Sequence, residues 1–572
     1  MPIICAPEDF QLEPGAVSDV CPSQQSPLDV FRCSGCTRAE CQGGAGCADM
    51  QWRWDSDGYL KKILTASVYD VAVNSNLEAA ERLSEQLDNT ILLKREDMQP
   101  VFSFKCRGAF NKMKNLSEEQ RQKGVICSSA GNHAQGVALA ASRLGCEALV
   151  CMPETTPEIK VKAVKRLGGT VELVGESYTE TQAYAQERAR QEGKVFVAPY
   201  DDPFTIAGQG TVGQEIMAQL TSSSQSNLHA IFVPVGGGGL IAGVAAYVKA
   251  LRPDVRIIGV EPSGANCMAA SLAKGERVTL SSVDAFADGV AVKTIGAETF
   301  RLCQQLVDGI VLVDNAAVSG AVQDVFEETR CILEPAGALA VAGARAYLKH
   351  HCLKGQTVVA ITSGANINFH RLRLVSELAD VGASKEAILA VTLSEAQGQF
   401  RELIDATVAD TTMQITELKY RYSAGPKAHV LMSVAIKTPA ELSALMSRLS
   451  TGGFSPLDLS AIQEAQVHLR HLVGGRARSF MGELPDERIM TVEFPERPGA
   501  LRAFLLKTSP RWNISLFHYR KSGIQTSQVL LGIQVPAQDE PEFQKALELL
   551  PEGFTIGALK PEAQQAFSMF IT

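Results

Sequence analysis

The stretch "QPVFSFKCRGAFNK" (residues 99–112) sets Lys105 among Val101, Phe102, Phe104, Cys106 and Ala109. An apolar setting penalises an ammonium, and it suits a lysine that works as a neutral amine in Schiff-base chemistry. A lysine that buries its stem and snorkels its head to water explains the same stretch taken alone.

Three further segments carry residue types that chemistry uses. "SSAGNHAQG" (128–136) offers a turn of small residues, with backbone N–H groups and the amide of Asn132 at the start of a helix. Its ordinary reading is a helix cap. "PVGGGGLIAG" (234–243) puts Gly236, Gly237, Gly238 and Gly239 ahead of Leu240, so that backbone can close on an anion with no side chain between. It lacks the lysine and spacing of a nucleotide P-loop and the pattern of a dinucleotide fold, so a single phosphate fits it better; tight packing is its competitor. "TSGANINFH" (362–370) presents the neutral hydroxyl of Ser363, which a turn or cap could also use. Together they supply a phosphate site at Gly236–Gly239, a partner for an aromatic oxygen at Asn132, a partner for a ring nitrogen at Ser363 and an amine for an aldehyde at Lys105. Pyridoxal 5′-phosphate has those four groups.

These segments must be positioned by regular structure. Eight apolar runs read as strands: 90–96, 124–129, 147–152, 170–175, 230–235, 256–262, 309–314 and 357–362. Helical patterns such as 133–145 and 158–169 lie between them. That alternation predicts an α/β architecture with buried, mostly parallel sheets, in which ligands gather beyond the carboxyl ends of the strands. The last third changes character. "EAILAVTLSEAQGQFRELI" (386–404) matches "ERIMTVEFPERPGALRAFL" (487–505) without a gap, and "QITELKYRY" (414–422) matches "NISLFHYRK" (513–521). Two copies of a strand–helix–strand unit are expected, and duplicated small modules beside an enzyme-sized domain suggest regulation by a small ligand, with a purely structural pair as the alternative.

Bulk properties narrow the class. With 572 residues the chain needs several domains, and a net charge of −9 without a basic cluster excludes a nucleic-acid surface. The uncharged run 230–248 is broken by Pro234 and four glycines, so no membrane span is expected. Of 14 cysteines, eight lie singly in apolar stretches from Cys106 to Cys352. The other six crowd the first 50 residues, where Cys33, Cys36, Cys41 and Cys47 could be spaced for a metal; a Gly-, Ser- and Pro-rich context favours a flexible tail. That tail carries seven acids against Arg32 and Arg38, so it does not read as a transit peptide.

"SFKCRGA", "SAGNHAQG", "GGGGL" and "SGAN" are similar, in order, to the motifs of fold-type II pyridoxal-phosphate enzymes, the tryptophan synthase β-like fold. "KREDMQPVFSFK", "ADGVAVK" and "EPAGALA" resemble the threonine dehydratases within them. The resemblance covers roughly residues 60–572. The duplicated C-terminus resembles the paired α+β ACT-like domains of the biosynthetic, isoleucine-sensitive type, and "FPERPGAL" and "SPRWNISLFHYR" are most similar to plant and algal versions. Cys106 stands where leucine is usual, and "SEAQGQF" in the first repeat replaces "PERPGAL" of the second, so the two effector surfaces are expected to differ.

The resemblance implies a catalytic domain over 56–380 and ACT-like domains over 385–473 and 487–572; composition makes 1–55 a tail outside the resemblance, and "GGRARSFMGELPD" (474–486) reads as a linker between the two copies. It implies that Lys105 binds pyridoxal phosphate covalently and removes the α-proton of L-threonine. Asn132, Gly236–Gly239, Leu240 and Ser363 hold the cofactor, and Ser129 with Asn132 holds the substrate carboxylate. The products are 2-oxobutanoate and ammonia, in the first committed step of isoleucine synthesis. Isoleucine inhibits and valine opposes it, with Tyr420, Tyr519 and Arg520 as candidate effector residues. A homotetramer is implied, in the plastid stroma by similarity to plant enzymes; a cytoplasmic location is the alternative. A serine/threonine dehydratase or racemase of the same fold, and a non-catalytic amino-acid sensor, are the competing functions.

Overall fold

The computed structural model describes residues 3–5, 58–220, 227–382, 386–394, 399–408, 413–420, 427–436, 438–460, 462, 486–495, 504, 507–508, 511–519, 526–550, 553–559 and 561–568. The chain divides into two compact units, Met1–Ile367 and Asn368–Thr572.

The first unit contains β1 (Ile3–Cys5), β2 (Leu77–Ala79), β3 (Thr90–Arg95), β4 (Val125–Ser128), β5 (Ala148–Met152), β6 (Thr170–Leu173), β7 (Val195–Phe196), β8 (Leu228–Pro234), β9 (Arg256–Pro262), β10 (Gly309–Val313) and β11 (Thr357–Thr362). They form a seven-stranded sheet in the order β1-β10-β9-β8-β11-β3-β2 and a four-stranded sheet in the order β6-β5-β4-β7. All pairings are parallel except β2 with β3. The eight apolar runs are all strands. Seven of them are buried along most of their length because helices cover both faces, which parallel connections require, whereas β6 is an edge strand with no fully buried residue. β2 and β7 escaped notice: three and two residues are too short to set up a period. Ile3–Cys5 is a parallel edge strand within the segment expected to be a tail; residues 6–57, with Cys33, Cys36, Cys41 and Cys47, lie outside the described residues.

Each sheet has its own core. One gathers Ile206, Val212, Ile231, Val233, Ile241, Val244, Ile257 and Ile310 around the large sheet. The other gathers Phe110, Met113, Val125, Cys127, Val137, Ala138 and Val150 around the small one. The helix Lys105–Lys114 contributes to the second core, and its start stands beside the carboxyl end of β11. Packing of the helices Pro203–Gln219 and Gly239–Leu251 is close enough that a Cβ on Gly243 would lie 2.4 Å from the Ile206 carbonyl oxygen.

The second unit repeats itself. β12 (Glu386–Ser394), β13 (Gln414–Tyr420), β14 (Lys427–Ala435) and β15 (Ser455–Asp458) form an antiparallel sheet in the order β13-β14-β12-β15. β16 (Glu487–Pro495), β17 (Asn513–Tyr519), β18 (Thr526–Gln534) and β19 (Thr555–Ala558) form another in the order β17-β18-β16-β19. Even the irregularity is duplicated: the register slips between Ile415 and Glu417 and again between Ile514 and Leu516. Each copy is therefore larger than strand–helix–strand. The sequence match covers the first three segments and stops before the hairpin strand, second helix and fourth strand.

Alternation along β12 sorts its residues. Ala387, Leu389 and Val391 face a core with Leu403, Leu445 and Leu449 from the helices Gln399–Val408 and Pro439–Thr451. Ile388 and Ala390 face a separate cluster with Leu431, Leu530, Ala563, Ala566 and Phe567. That second cluster joins both sheets to the final helix Pro561–Ser568.

No helix among the described residues is long and apolar enough to cross a membrane, and no group of His, Cys, Asp and Glu among them is arranged for a metal. The run 230–248 is a strand, a glycine loop and a helix.

Candidate active site

Lys105 is the first residue of its helix, on the loop that follows β3 and the turn Glu96–Met98. That loop is tied to the end of β11. Ser103 bridges Gly364, the Phe104 N–H donates to the Ser363 carbonyl, and the Ala365 N–H donates to the Phe102 carbonyl at 2.9 Å. Phe102 adopts φ of 56°, a left-handed conformation unfavourable for an aromatic residue, three positions before the lysine. The lysine Nζ donates to the Pro199 carbonyl at 2.9 Å. Removal from water pushes its pKa down to about 8, against the opposing pull of the Glu334 carboxylate.

From Lys105 a circuit of contacts can be followed residue by residue. Pro199 leads to Tyr200, whose ring covers the glycine loop so closely that a Cβ on Gly237 would lie 2.2 Å from it. Gly238 has φ of 91° and caps the helix Gly239–Leu251, whose first N–H groups have no carbonyl within the helix to bond. The Gly237 carbonyl is held by the Thr299 hydroxyl at 2.7 Å. On the far side, Gly236 packs on the backbone of Val290, and the adjacent Gly289 packs on Ala336 and the Glu334 carboxylate. Glu334 Oε1 accepts from Asn132 Nδ2 at 2.6 Å, and Asn132 Oδ1 accepts from Asn366 Nδ2 at 2.7 Å. Asn366 also donates to the Val101 carbonyl, which returns the circuit to the lysine loop.

Of the residues predicted from sequence, Lys105, Asn132, Gly236, Gly237, Gly238, Gly239 and Ser363 border this one circuit, and Leu240 follows in the helix above it. Ser363 is buried and its hydroxyl donates to the Ala336 carbonyl at 3.3 Å. Ser129 lies just after β4, where its hydroxyl oxygen accepts from the Gly131 N–H at 3.2 Å. Tyr420 and Tyr519 close β13 and β17 in matching positions of the second unit, with side chains outside the described residues; Arg520 lies outside them altogether.

Sequence reading did not assign Tyr200, Thr299, Glu334, Asn366 or His133. Glu334, Asn366 and His133 sit inside the motifs "EPAGALA", "SGAN" and "SAGNHAQG", so position next to a chemistry-bearing residue was the available signal. Tyr200 and Thr299 had none. Their partners are nearly 40 and more than 60 residues away.

The site fits a phosphorylated aldehyde cofactor on observations of its own. An amine with a lowered pKa shares this circuit with a glycine-rich helix N-terminus whose first amides lack carbonyl partners within the helix, and the Ser128 hydroxyl is buried without a hydrogen-bond partner among the described residues. Residues 69–364 match the family described as pyridoxal-phosphate-dependent enzymes. Fold and site together define an enzyme of that class.

Residues 377–469 and 478–560 match the C-terminal regulatory domain of threonine dehydratase. The chain is 54% identical over 508 residues to threonine dehydratase 1 biosynthetic, chloroplastic, of Solanum lycopersicum, covering 89% of this chain and 82% of that one. It is 48% identical over 520 residues to the biosynthetic L-threonine dehydratase of Burkholderia multivorans, covering 90% of this chain and all of the relative. The solved structure of the processed form of threonine deaminase isoform 2 from Solanum lycopersicum superposes with a TM-score of 0.56 at 53% identity, over 58% of this chain and 94% of that one. The chain belongs to the biosynthetic threonine dehydratases.

Proposed function

We propose that this chain deaminates L-threonine to 2-oxobutanoate and ammonia at the site around Lys105, under feedback control by isoleucine through its C-terminal pair of modules. The observation that carries the catalytic reading is an amine near pKa 8, held by the Pro199 carbonyl on the same circuit as an open glycine helix start and the Asn132 amide.

The amides of Gly236–Leu240 would hold the cofactor's phosphate, Asn132 its aromatic oxygen and Ser363 its ring nitrogen. When bound, pyridoxal phosphate supplies an aldehyde for an amine and a ring that withdraws electrons from the substrate's α-carbon. Lys105 takes the α-proton, a task suited to an amine whose lowered pKa gives it a far larger neutral fraction near physiological pH than an exposed lysine has. Ser129 and Asn132 orient the substrate carboxylate. Ser363 offers a neutral hydroxyl in place of a carboxylate, so it cannot hold a positive charge on the ring nitrogen by ion pairing. With the cofactor bound, that neutral partner would leave the ring a weaker electron sink, a setting suited to elimination chemistry.

For regulation, matching Tyr420 and Tyr519 on the ends of corresponding strands, with Arg520 next in sequence, support an amino-acid effector at the repeated units. Isoleucine inhibits and valine opposes it, each through different affinity for two conformations. A homotetramer and a plastid location are proposed with it; similarity to the tomato relative supports the location, and the Burkholderia relative equally accommodates a cytoplasmic one.

The test supplies L-threonine and follows keto acid, with and without isoleucine, for the wild type and Lys105→Ala. Keto acid appears from the wild type alone and falls with isoleucine. Wild-type turnover by Lys105→Ala sinks the catalytic reading, and insensitivity to isoleucine sinks the regulatory one.

A further inference from the structure

The "SAGNHAQG" turn holds a residue that the reaction as described leaves idle. His133 is buried, 3% exposed, in the first turn of the helix Asn132–Leu144. Its Nε2 is 2.8 Å from the Val197 carbonyl oxygen, which as an acceptor requires the proton to be on Nε2. Its Nδ1 is buried with no hydrogen-bond partner among the described residues. A buried imidazole in that setting stays neutral: burial, and then the neighbouring Lys105, press its pKa down to about 3.

Two relationships connect this ring to Lys105. His133 grips the Val197 carbonyl, and Lys105 donates to the Pro199 carbonyl two residues further along the same segment after β7. Gly136 stands one turn beyond His133 on the same helix face, and a Cβ there would lie 3.1 Å from the Lys105 backbone carbonyl. The helix carrying His133 is thus pressed against the start of the lysine's helix, while its imidazole pins the segment that anchors the lysine's amine.

We propose that His133 is a positioning residue for Lys105, holding the Val197–Pro199 segment through its Nε2–H so that the amine stays anchored at the Pro199 carbonyl and shielded from water. The charged and titratable groups facing the amine among the described residues are Glu334, which favours the ammonium, and His133, which as a neutral ring does not. Exclusion of water is the largest influence on the amine, so loosening the wall that excludes it raises the amine's pKa toward that of an exposed lysine.

The inference rests on Lys105 being the cofactor-linking lysine, and that is checked separately by borohydride reduction of the holoenzyme and peptide mapping. The amine itself is titrated in full-length apoenzyme by the pH dependence of its acylation, read by mass spectrometry of the Lys105 peptide. His133→Gln keeps an N–H able to reach the Val197 carbonyl; His133→Asn is too short, and His133→Ala serves as a second variant without a donor. The wild-type midpoint is expected near 8. The donor-free variants move it up by about one pH unit or more, and His133→Gln restores it. An unmoved midpoint in a folded His133→Asn or His133→Ala, or an equal shift in His133→Gln, overturns the proposal. Reduced cofactor on a different lysine instead overturns the reading on which it rests.

Discussion

Asn132 and Glu334, 202 residues apart in sequence, are joined by a 2.6 Å hydrogen bond from Nδ2 to Oε1. Because Asn366 donates to Asn132 Oδ1, both ends of the amide are fixed and its orientation is set by the protein. Glu334 is 5% exposed, so its carboxylate acts on Lys105 through little intervening water. Its charge raises the pKa of Lys105, in opposition to burial. Glu334→Gln removes that charge while keeping an oxygen for Asn132. The Lys105 midpoint in apoenzyme is expected to fall below its value near 8 by about one unit, read by the same acylation titration. A midpoint that rises or stays put shows that Glu334 does not act on the amine.

The glycine loop makes a steric prediction. A Cβ on Gly237 meets the Tyr200 ring at 2.2 to 2.4 Å, a rigid neighbour that cannot step aside as a flexible side chain would. Gly237→Ala is expected to cost about 1–3 kcal/mol of stability and to displace the helix start, with a weaker hold on the cofactor. Thermal unfolding and spectroscopic titration with pyridoxal phosphate measure the two effects. In Gly237→Ala combined with Tyr200→Ala, the stability loss should be less than the sum of the two single losses, because the clash is gone. Additive losses refute steric conflict as the cause.

The parts of this site were legible in the sequence to different degrees. Lys105, the glycine run and Ser363 announced themselves because each is odd in its local setting: a cation among aromatics, four glycines in a row after a strand, a small polar turn at a strand end. The fold was legible for a related reason, since parallel strands buried on both faces leave continuous apolar runs. Tyr200, Thr299 and Glu334 act through tertiary contacts to residues far away in sequence, and a tyrosine or glutamate looks the same whether it covers a loop or faces solvent. The second unit was read as a repeat but undersized, because β15 and β19 are four-residue strands whose sequences, "SPLD" and "TIGA", share no pattern. Nothing in "KREDMQ" alone told that Lys94 and Glu96 are buried.

Those charges form a network beneath the lysine helix. Glu215 accepts from Lys94 at 2.6 Å and from Arg107 at 2.6 and 2.9 Å, and Arg107 also pairs with Glu96 at 2.7 Å; all four side chains are at most 2% exposed. Burial opposes ionisation of Glu215, but Arg107 and Lys94 outweigh it and hold the carboxyl below its usual range. A carboxyl depressed in the folded state adds stability above its unfolded pKa of about 4.3 and loses it as pH falls through the folded value. Glu215→Gln leaves two buried cations undercompensated, with an expected cost of about 3–5 kcal/mol near neutral pH. The gap between wild type and variant should narrow below about pH 4, as the wild type loses the same charge. Thermal unfolding of both proteins across pH 3 to 8 checks this, and a constant gap contradicts it.

The final helix makes a prediction about regulation. Phe567, 2% exposed, lies in one cluster with Ile388, Ala390 and Leu431 of the first repeated sheet and Leu530 of the second. Ala563 and Ala566 accompany it from the same helix, so one short segment bears on both copies. Packed interiors respond to change in discrete steps, and a side chain shared by two sheets therefore couples their positions. Phe567→Ala leaves a cavity there at an expected cost of about 3–5 kcal/mol, confined to the second unit. Threonine turnover without effector should remain near wild type, while the isoleucine concentration for half-inhibition rises and any steepness of the response falls. Dose–response curves for wild type and Phe567→Ala at one threonine concentration read both quantities. Equal loss of basal turnover and of inhibition would mean that the helix supports the whole chain's folding and carries no coupling of its own.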